Sequence, residues 1–492
     1  GLSPATGIPG AAPVRLEVAV QPEGGAEQTL WSTTIQGESA DGPRWNEIAV
    51  PLTAVAGTRA RFLFRARAVG DGRPLVLPLW ADPTIVAPAV RPAARRNVIL
   101  ISIDTLRADR LAADGAYRRT TPQIDAFARD AVVFTDAWSV WPETSGSHMS
   151  LFSSRFPSEH GVTSFITAPS PSIELLAERL RREGYLTRAY TEDGGVWAYA
   201  GFARGFSAYA ERRSADFVYR GEVDAVFADG TRWVESHADR TFFLFLHTYQ
   251  VHAPYSPPVD YRALFLDVPG REPPRARATA LAYDQEARYT DDHVGPFLAR
   301  LARLGLSERT IIIILSDHGE EFGEHGGMGH GRTLHQEVLR VPLVISAPGL
   351  LAPTQVTAPV SLLDIVPTVF DLLGLEAATG QRGISLLADA RAAASGSASD
   401  PAASARPIFG EVDRMDRTRV HQVSVRRNRA TAITDLVTNS TRCYTPDDRA
   451  ELTPTGTCPE LSELINLHRQ VSVRIGSTPS HQQADPELIE KM

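Results

Sequence analysis

A chain of 492 residues has room for about three domains of ordinary size, or for one large core with a smaller appendage. With 43% apolar and 22% charged residues the balance is globular, which excludes a mainly disordered chain or a fibre. The formal charge of −8 comes without a basic block, against a nucleic acid polymer as main partner, and the apolar runs are strand-sized, which predicts no transmembrane segment.

Residues 1–94 read as β. Runs such as Arg15-Leu-Glu-Val-Ala-Val20, Trp45–Leu52 and Arg59–Ala66 alternate in polarity between Gly, Asp and Pro turns, the pattern of a small sandwich of jelly-roll type. A spacer role or carbohydrate binding would suit such an accessory domain. The arginine-rich stretch Ala89–Arg96, broken by Pro92, reads as a linker.

Residues 95–380 change pattern. Asn97–Ile103 is a nearly continuous apolar strand, the kind buried on both faces of a parallel sheet. Helical segments at 121–131 and 172–184 alternate with apolar strands Phe242–Leu246, Ile311–Leu315 and Val341–Ser346. That order predicts an α/β core with a mixed or parallel sheet flanked by helices on both faces. The stretch 379–407, rich in Ala, Ser and Gly, reads as flexible, so 381–407 is taken as a linker. Residues 408–492, with a strand candidate at 422–434 and a helix near 459–469, form a small C-terminal α+β subdomain.

Every basic residue except Lys491 is arginine, so no chemical step inside the fold can draw on a lysine. Cys443 and Cys458, the only cysteines, exclude a cysteine-based zinc site and leave room for one disulfide, which would fit an oxidising compartment. A chain opening on Gly1 rather than Met points to the removal of an upstream signal or anchor. A bacterial-type periplasmic or secreted protein is the expectation.

In open α/β sheets, sites gather at the carboxyl ends of the strands. Three polar segments follow apolar strands directly: Asp104–Arg107, His247–Tyr255 and Ser316–Glu321. Asp104, Asp317 and His318 are ligands suited to a divalent cation such as Ca²⁺, Mg²⁺, Mn²⁺ or Zn²⁺. Asp104 alone also reads as a helix N-cap.

Five segments in order, Asn97–Leu111, Thr121–Trp138, Thr144–Val162, His252–Tyr255 and Ser316–Pro348, resemble the sulfatase family of the alkaline phosphatase superfamily. The resemblance implies that family's fold and one divalent metal ion held by Asp104, Asp317 and His318, with the nucleophile Thr144 as a further ligand. Family sulfatases open the nucleophile motif Cys/Ser-x-Pro-x-Arg with a residue converted to formylglycine. Here Thr144 stands first and Gly146 and His148 replace Pro and Arg, so no formylglycine is expected.

Threonine at this position is similar to the phosphoryl-transfer members: nucleotide pyrophosphatase-like phosphodiesterases, phosphonoacetate hydrolase-like enzymes and lipoteichoic acid synthase-like phosphotransferases. A hydroxyl activated beside a cation can attack phosphorus in line. A helix N-cap is the plain reading of Thr144, and Ser145 is the alternative nucleophile.

Where the family places lysines around sulfate, the segment at 193–199 has neither Lys nor His, and His330 and Arg332 stand near the second position. By the resemblance His252 binds substrate or moves a proton, as His330 does, while His148, His247 and Arg332 contact substrate. For His247 a packed core histidine is the equal alternative, and for His330 a surface loop. Thr105 and Thr248 occupy positions where two-carboxylate relatives carry Asp, which favours one metal over two. Arg107 and Asp109 are read as a pair at a helix start, and Glu320, Glu321 and Glu324 as a solvated loop, with attraction of a cation as the alternative. Trp197, Tyr199, Phe202 and Phe206 are read as a leaving-group pocket or as packing.

The expected activity is cleavage of a phosphodiester or phosphonate monoester through a covalent phospho-Thr144, on a small-molecule, lipid or glycan ester. Sulfate ester hydrolysis without formylglycine, an envelope phosphotransferase and an inactive glycan-binding scaffold are the other readings.

Overall fold

Seven consecutive residues, Asn97–Ile103, are all buried and form the central strand of a nine-stranded sheet. This computed structural model describes residues 2–3, 13–35, 48, 50–69, 79–80, 95–192, 194–212, 221–397, 405–414, 420–448 and 450–475. The chain divides into two compact units, Gly1–Ala87 and Pro88–Met492.

In the larger unit the sheet strands are β1 Asn97–Ile103, β2 Val132–Trp138, β3 Leu186–Glu192, β4 Ala208–Arg212, β5 Phe242–Thr248, β6 Thr310–Leu315, β7 Arg340–Ser346, β8 Thr354–Val356 and β9 Val360–Ser361. Their order is β8-β2-β7-β6-β1-β5-β3-β4, with β9 also on β2. β7 runs antiparallel to both of its neighbours and the other ladders are parallel, so the sheet is mixed.

Because side chains alternate along a strand, the apolar runs feed two cores. Val98, Leu100, Phe243, Phe245, Ile311 and Ile313 pack with Met149, Leu151 and Phe152 of helix Thr144–Ser153. Ile99, Ile101, Phe242, Leu244, Ile312 and Ile314 pack with helices Val223–Ser236 and Arg277–Arg303. Every residue of helix Thr144–Ser153 is buried. Gly146 is what lets it sit that deep, since a Cβ there would lie 2.5 Å from the Trp141 ring.

The helices are shorter than their sequence windows: Pro122–Ala128 within 121–131, and Leu176–Arg182 within 172–184. The stretch read as flexible, 379–407, contains helix Leu387–Ala394, whose Leu387 and Ala390 join the first core; residues 398–404 lie outside the described ones. Alanine is the best helix former, and composition alone mistook it for a linker. The strand candidate 422–434 is a hairpin, Val420–Arg427 and Ala430–Asp435, turned by Asn428 and Arg429 at φ 51° and 65°. Two left-handed residues in succession are the turn that matches strand twist. This hairpin is half of a four-stranded antiparallel sheet with Ile408–Arg414 and Ser440–Tyr444, closed by helix Pro459–Ile475.

In the smaller unit, Val14–Pro22 pairs with Gln28–Ile35 and Ala60–Ala68 in an antiparallel sheet, and Leu2–Ser3 pairs with Leu79–Trp80. Of the strand read at Trp45–Leu52, residues 45–47 and 49 lie outside the described ones, and 50–52 lead into a short 3-10 turn instead. Residues 89–94 of the linker also lie outside. Among the described residues no helix is long and apolar enough to cross a membrane.

Cys443 and Cys458 form a disulfide that pins strand Ser440–Tyr444 to the start of the closing helix, whose Leu461 and Ile465 pack on Val423, Val425 and Ala432. With the linked positions 15 apart in sequence, replacing both cysteines with serine costs about 3 kcal/mol. A lower melting midpoint, matched by wild type under reductant, is the measurable result. Gly146→Ala drives a methyl into Trp141 and costs roughly 1–3 kcal/mol by the same melting assay.

Candidate active site

Strands β1, β5 and β6 lie side by side and in register, Ser102 opposite both His247 and Leu315, so their carboxyl ends open at one place. β1 delivers Asp104. Thr105 then turns the chain at φ 57°, an uncommon conformation for a β-branched residue, held by its hydroxyl to Val251 O at 3.0 Å. The next helical turn, Ala108–Arg110, has Arg107 at its cap position, so Asp104 caps none. β6 delivers Asp317 and His318, with Ser316 Oγ donating to His318 O at 2.6 Å and Ser147 Oγ to Asp317 O at 2.7 Å. β2 leads through Ser139–Glu143 to Thr144, the first residue of its helix. Glu143 occupies the cap position without a side-chain cap bond.

These segments converge on one point. Thr144 Oγ1 lies 3.2 Å from Asp104 Oδ2 and 3.4 Å from His318 Nε2. His318 Nε2 lies 3.4 Å from Asp317 Oδ2 and 3.7 Å from Asp104 Oδ1. Asp104, Asp317 and His318 are fully buried, and Asp104 Oδ1 and Asp317 Oδ2 have no hydrogen-bond partner.

Burial, reinforced by the charge of Asp317, pushes the Asp104 carboxyl well up. Burial opposes the charge on Asp317 too, but His318, His148 and His247 outweigh it and hold that carboxyl low. Two desolvated carboxylates with idle oxygens are costly by themselves and are the arrangement a cation relieves. Ligand atoms of Asp104, Asp317 and His318 lie within 4.8 Å of one another, so the donor set fits a divalent ion.

His148 and His247 do not stand where a substrate contact was expected. His148 Nε2 meets Ser102 Oγ at 2.9 Å and its Nδ1 meets Thr144 O at 3.0 Å, so both nitrogens are used inside the protein. His247 lies on β5 with its ring against His148 and Phe245, and its Nε2 is 3.4 Å from Asp104 Oδ2. Burial pushes both imidazoles down to about 4, so they sit neutral behind the carboxylates. Arg332 is exposed on the turn after His330. Ser145 Oγ donates to Gly195 O at 2.7 Å, which takes it out of contention as nucleophile.

His252 and His330 face each other across the opening, Nε2 to Nε2 at 3.3 Å. His252 stacks on Tyr249 at 4.0 Å and donates from Nδ1 to Ala253 O at 2.6 Å, leaving Nε2 as an acceptor. Burial, with His330 beside it, pushes His252 down to about 3. His330 is the reverse: burial disfavours its charge, yet Glu320, 2.9 Å from its Nδ1, raises it to about 9. Glu320 is buried, not solvated; despite burial, His330 lowers its carboxyl to about 2, and Tyr255 OH donates to its other oxygen. Sequence reasoning missed Glu320, although its place two residues after His318 was a signal.

The other acidic residues of this segment have partners as well. Glu324 pairs with Arg107 at 2.6 Å, and Arg107 also holds Asp109 and Glu320 O. Glu321, His325 and Glu337 form a second cluster, but Glu337 and the Glu451 carbonyl take both His325 nitrogens at 2.7 and 2.8 Å. Thr105 and Thr248 both engage backbone partners. Trp197, Phe202 and Phe206 belong to the first core, with Tyr199 against it, so they pack; Asp193 lies outside the described residues.

The sequence pattern of the sulfatase family matches residues 96–375. An ulvan-active sulfatase from Formosa agariphila is 28% identical over 329 residues, 58% of this chain and 63% of that protein. Arylsulfatase K from Bos taurus is 40% identical over 98 residues, 20% of this chain and 18% of that protein. The chain therefore spans less than two thirds of these relatives' lengths. A protein solved with its substrate D-glucosamine-2-N,6-O-disulfate superimposes with a TM-score of 0.66 at 16% identity, over 79% of this chain and 100% of that one. The phosphonate monoester hydrolase of Agrobacterium radiobacter gives 0.64 at 19% identity, over 79% and 97%. At these identities the likeness is one of fold. With more than half of its length matched by the family pattern, and that fold around Asp104, Asp317 and His318, the chain belongs to the sulfatase family of the alkaline phosphatase superfamily.

Proposed function

We propose that this protein is a hydrolase of ester bonds that cleaves a phosphodiester or phosphonate monoester, with Thr144 as nucleophile beside one divalent cation held by Asp104, Thr144, Asp317 and His318. The observation that carries the reading is Thr144 Oγ1 itself, 3.2 Å from Asp104 and 3.4 Å from His318 at a helix N-terminus. A threonine side chain offers a hydroxyl, not the aldehyde that sulfate chemistry in this family uses. When bound, the cation supplies charge stabilisation for the phosphoryl oxygens and eases loss of the hydroxyl proton. A ligand set of two carboxylates and one imidazole suits Mn²⁺ or Zn²⁺ better than Ca²⁺.

The chain's own groups balance the rest. Thr144 Oγ bonds to phosphorus and its proton passes along the contact to Asp104 Oδ2. As the bond from phosphorus to the leaving oxygen breaks, cationic His330 protonates that oxygen. Water then attacks phosphorus, the Thr144 ester breaks with its oxygen taking the proton back from Asp104 Oδ2, and neutral His252 takes the water proton and passes it to His330 across their 3.3 Å contact, which restores both histidines. Environments that push two facing histidines in opposite directions are the pattern of an acid and a base. Arg332, exposed two residues beyond His330, would meet an anionic substituent of the substrate.

The second reading, sulfate ester hydrolysis by the same residues, is favoured by the relatives, which are named for sulfate esters. A glycan ester is the substrate class those names suggest, and a small-molecule or lipid ester would fit the same chemistry. The disulfide supports an oxidising, periplasmic or extracellular location.

Wild type and Thr144→Ala, assayed with manganese or zinc on nitrophenyl phosphate, phosphodiester, phosphonate and sulfate esters, test the proposal. Turnover is expected to be fastest on the diester or phosphonate, and Thr144→Ala to lose roughly 10⁴-fold or more in kcat, the scale of removing a nucleophile. Preference for sulfate, or an unimpaired alanine variant, would overturn it. Chelation is expected to abolish turnover, and restoring cation at about 1,000 times its Kd to raise stability by about 4 kcal/mol, seen in the melting midpoint.

A further inference from the structure

His247 carries a cost that nothing in its own packing offsets. It is fully buried, yet neither ring nitrogen has a hydrogen-bond partner. A buried imidazole left in that state destabilises a fold, and its neighbours Phe245 and His148 would accept a hydrocarbon ring equally well. The polar group it does approach is Asp104, with Nε2 at 3.4 Å from Oδ2.

His148 shows what such a ring does when its bonds are complete. The Thr144 carbonyl only accepts, so Nδ1 of His148 bears the proton, and Nε2 accepts from Ser102. The same Nδ1 lies 3.4 Å from Asp317 Oδ2. One ring thus ties the start of the nucleophile's helix to β1 and to Asp317. The two imidazoles meet edge to face, centroids 5.0 Å apart at 86°, so each carboxylate of the cation site has a histidine behind it.

We infer that His247 is a positioning residue for the cation site: its Nε2, with the Thr144 hydroxyl, holds Oδ2 of Asp104 and leaves the unpartnered Oδ1 to the ion. The inference rests on the metal reading proposed above and adds a residue that touches neither substrate nor ion. A proton on Nε2 directed at a ligating carboxylate fixes the orientation of that carboxylate and sharpens its affinity, as outer hydrogen bonds do at metal sites generally.

Stability and affinity should then respond in opposite directions. His247→Phe keeps the ring and discards the idle nitrogens, so in chelator its melting midpoint is expected to equal or exceed that of wild type. Its affinity for Mn²⁺ alone and for Zn²⁺ alone, measured by calorimetric titration without substrate, is expected to fall about 10- to 100-fold. His247→Gln, whose amide nitrogen reaches the place of Nε2, should recover most of that affinity, and the shorter His247→Asn should not. The Gln and Asn pair carries the comparison even if the Phe variant does not fold. Undiminished affinity in Phe or Asn, or equal loss in Gln and Asn, would overturn the inference and leave the metal reading standing. Wild type that takes up neither ion would overturn both.

Discussion

Two carboxylates buried side by side are the constraint around which this molecule is arranged. Asp104 and Asp317 leave adjacent parallel strands at the same, carboxyl end of the sheet, with no access to water and with one idle oxygen each. No apolar packing compensates for that, and the surrounding chain reflects it. Thr105 takes a strained turn to bring Asp104 inward, and three imidazoles, of His148, His247 and His318, crowd the pair. The rings of His148 and His247, kept neutral by burial, add dipoles without adding charge, so the cluster keeps its appetite for a cation.

The departures from the family's nucleophile motif are coupled to one another by packing. A proline cannot occupy position 146 while Trp141 lies over it, since even a Cβ would be 2.5 Å from the indole. Nor does an arginine-like contact with substrate survive at 148, where the histidine is consumed by Ser102 and the Thr144 carbonyl. Thr144, Gly146 and His148 therefore form one local solution: a deeply buried helix whose first hydroxyl, not an aldehyde, meets Asp104 and His318.

What could be read in the sequence was whatever one strand determines alone. Asp104 and Asp317-His318 follow unbroken apolar runs, and a charge there has few places to go but a site. Strand register, the mixed order of the sheet and the pairing of distant loops depend on packing between segments, and these fixed what was missed. Glu320 looked like loop because its partner His330 comes ten residues later across a turn. His148 looked like a substrate contact, and His247 like either that or a packed core histidine, because nothing local reveals that their rings meet each other. The hairpin at Asn428-Arg429 was hidden because its turn uses two left-handed residues without glycine.

The near absence of lysine gains its meaning at His330. A lysine at an anion site supplies a fixed charge, and its proton is hard to give up near neutrality. His330, charged through Glu320 against the pull of burial, supplies the same positive sign with a proton that can move. Facing it, His252 is kept neutral by burial and by that very charge, so one cation creates both the donor and the acceptor. On the function proposed above, a pocket built on Glu320, His330 and His252 would exchange the static binding of a lysine pocket for proton transfer. That exchange suits an ester whose leaving group must be protonated as it departs and whose covalent intermediate must be resolved by an activated water.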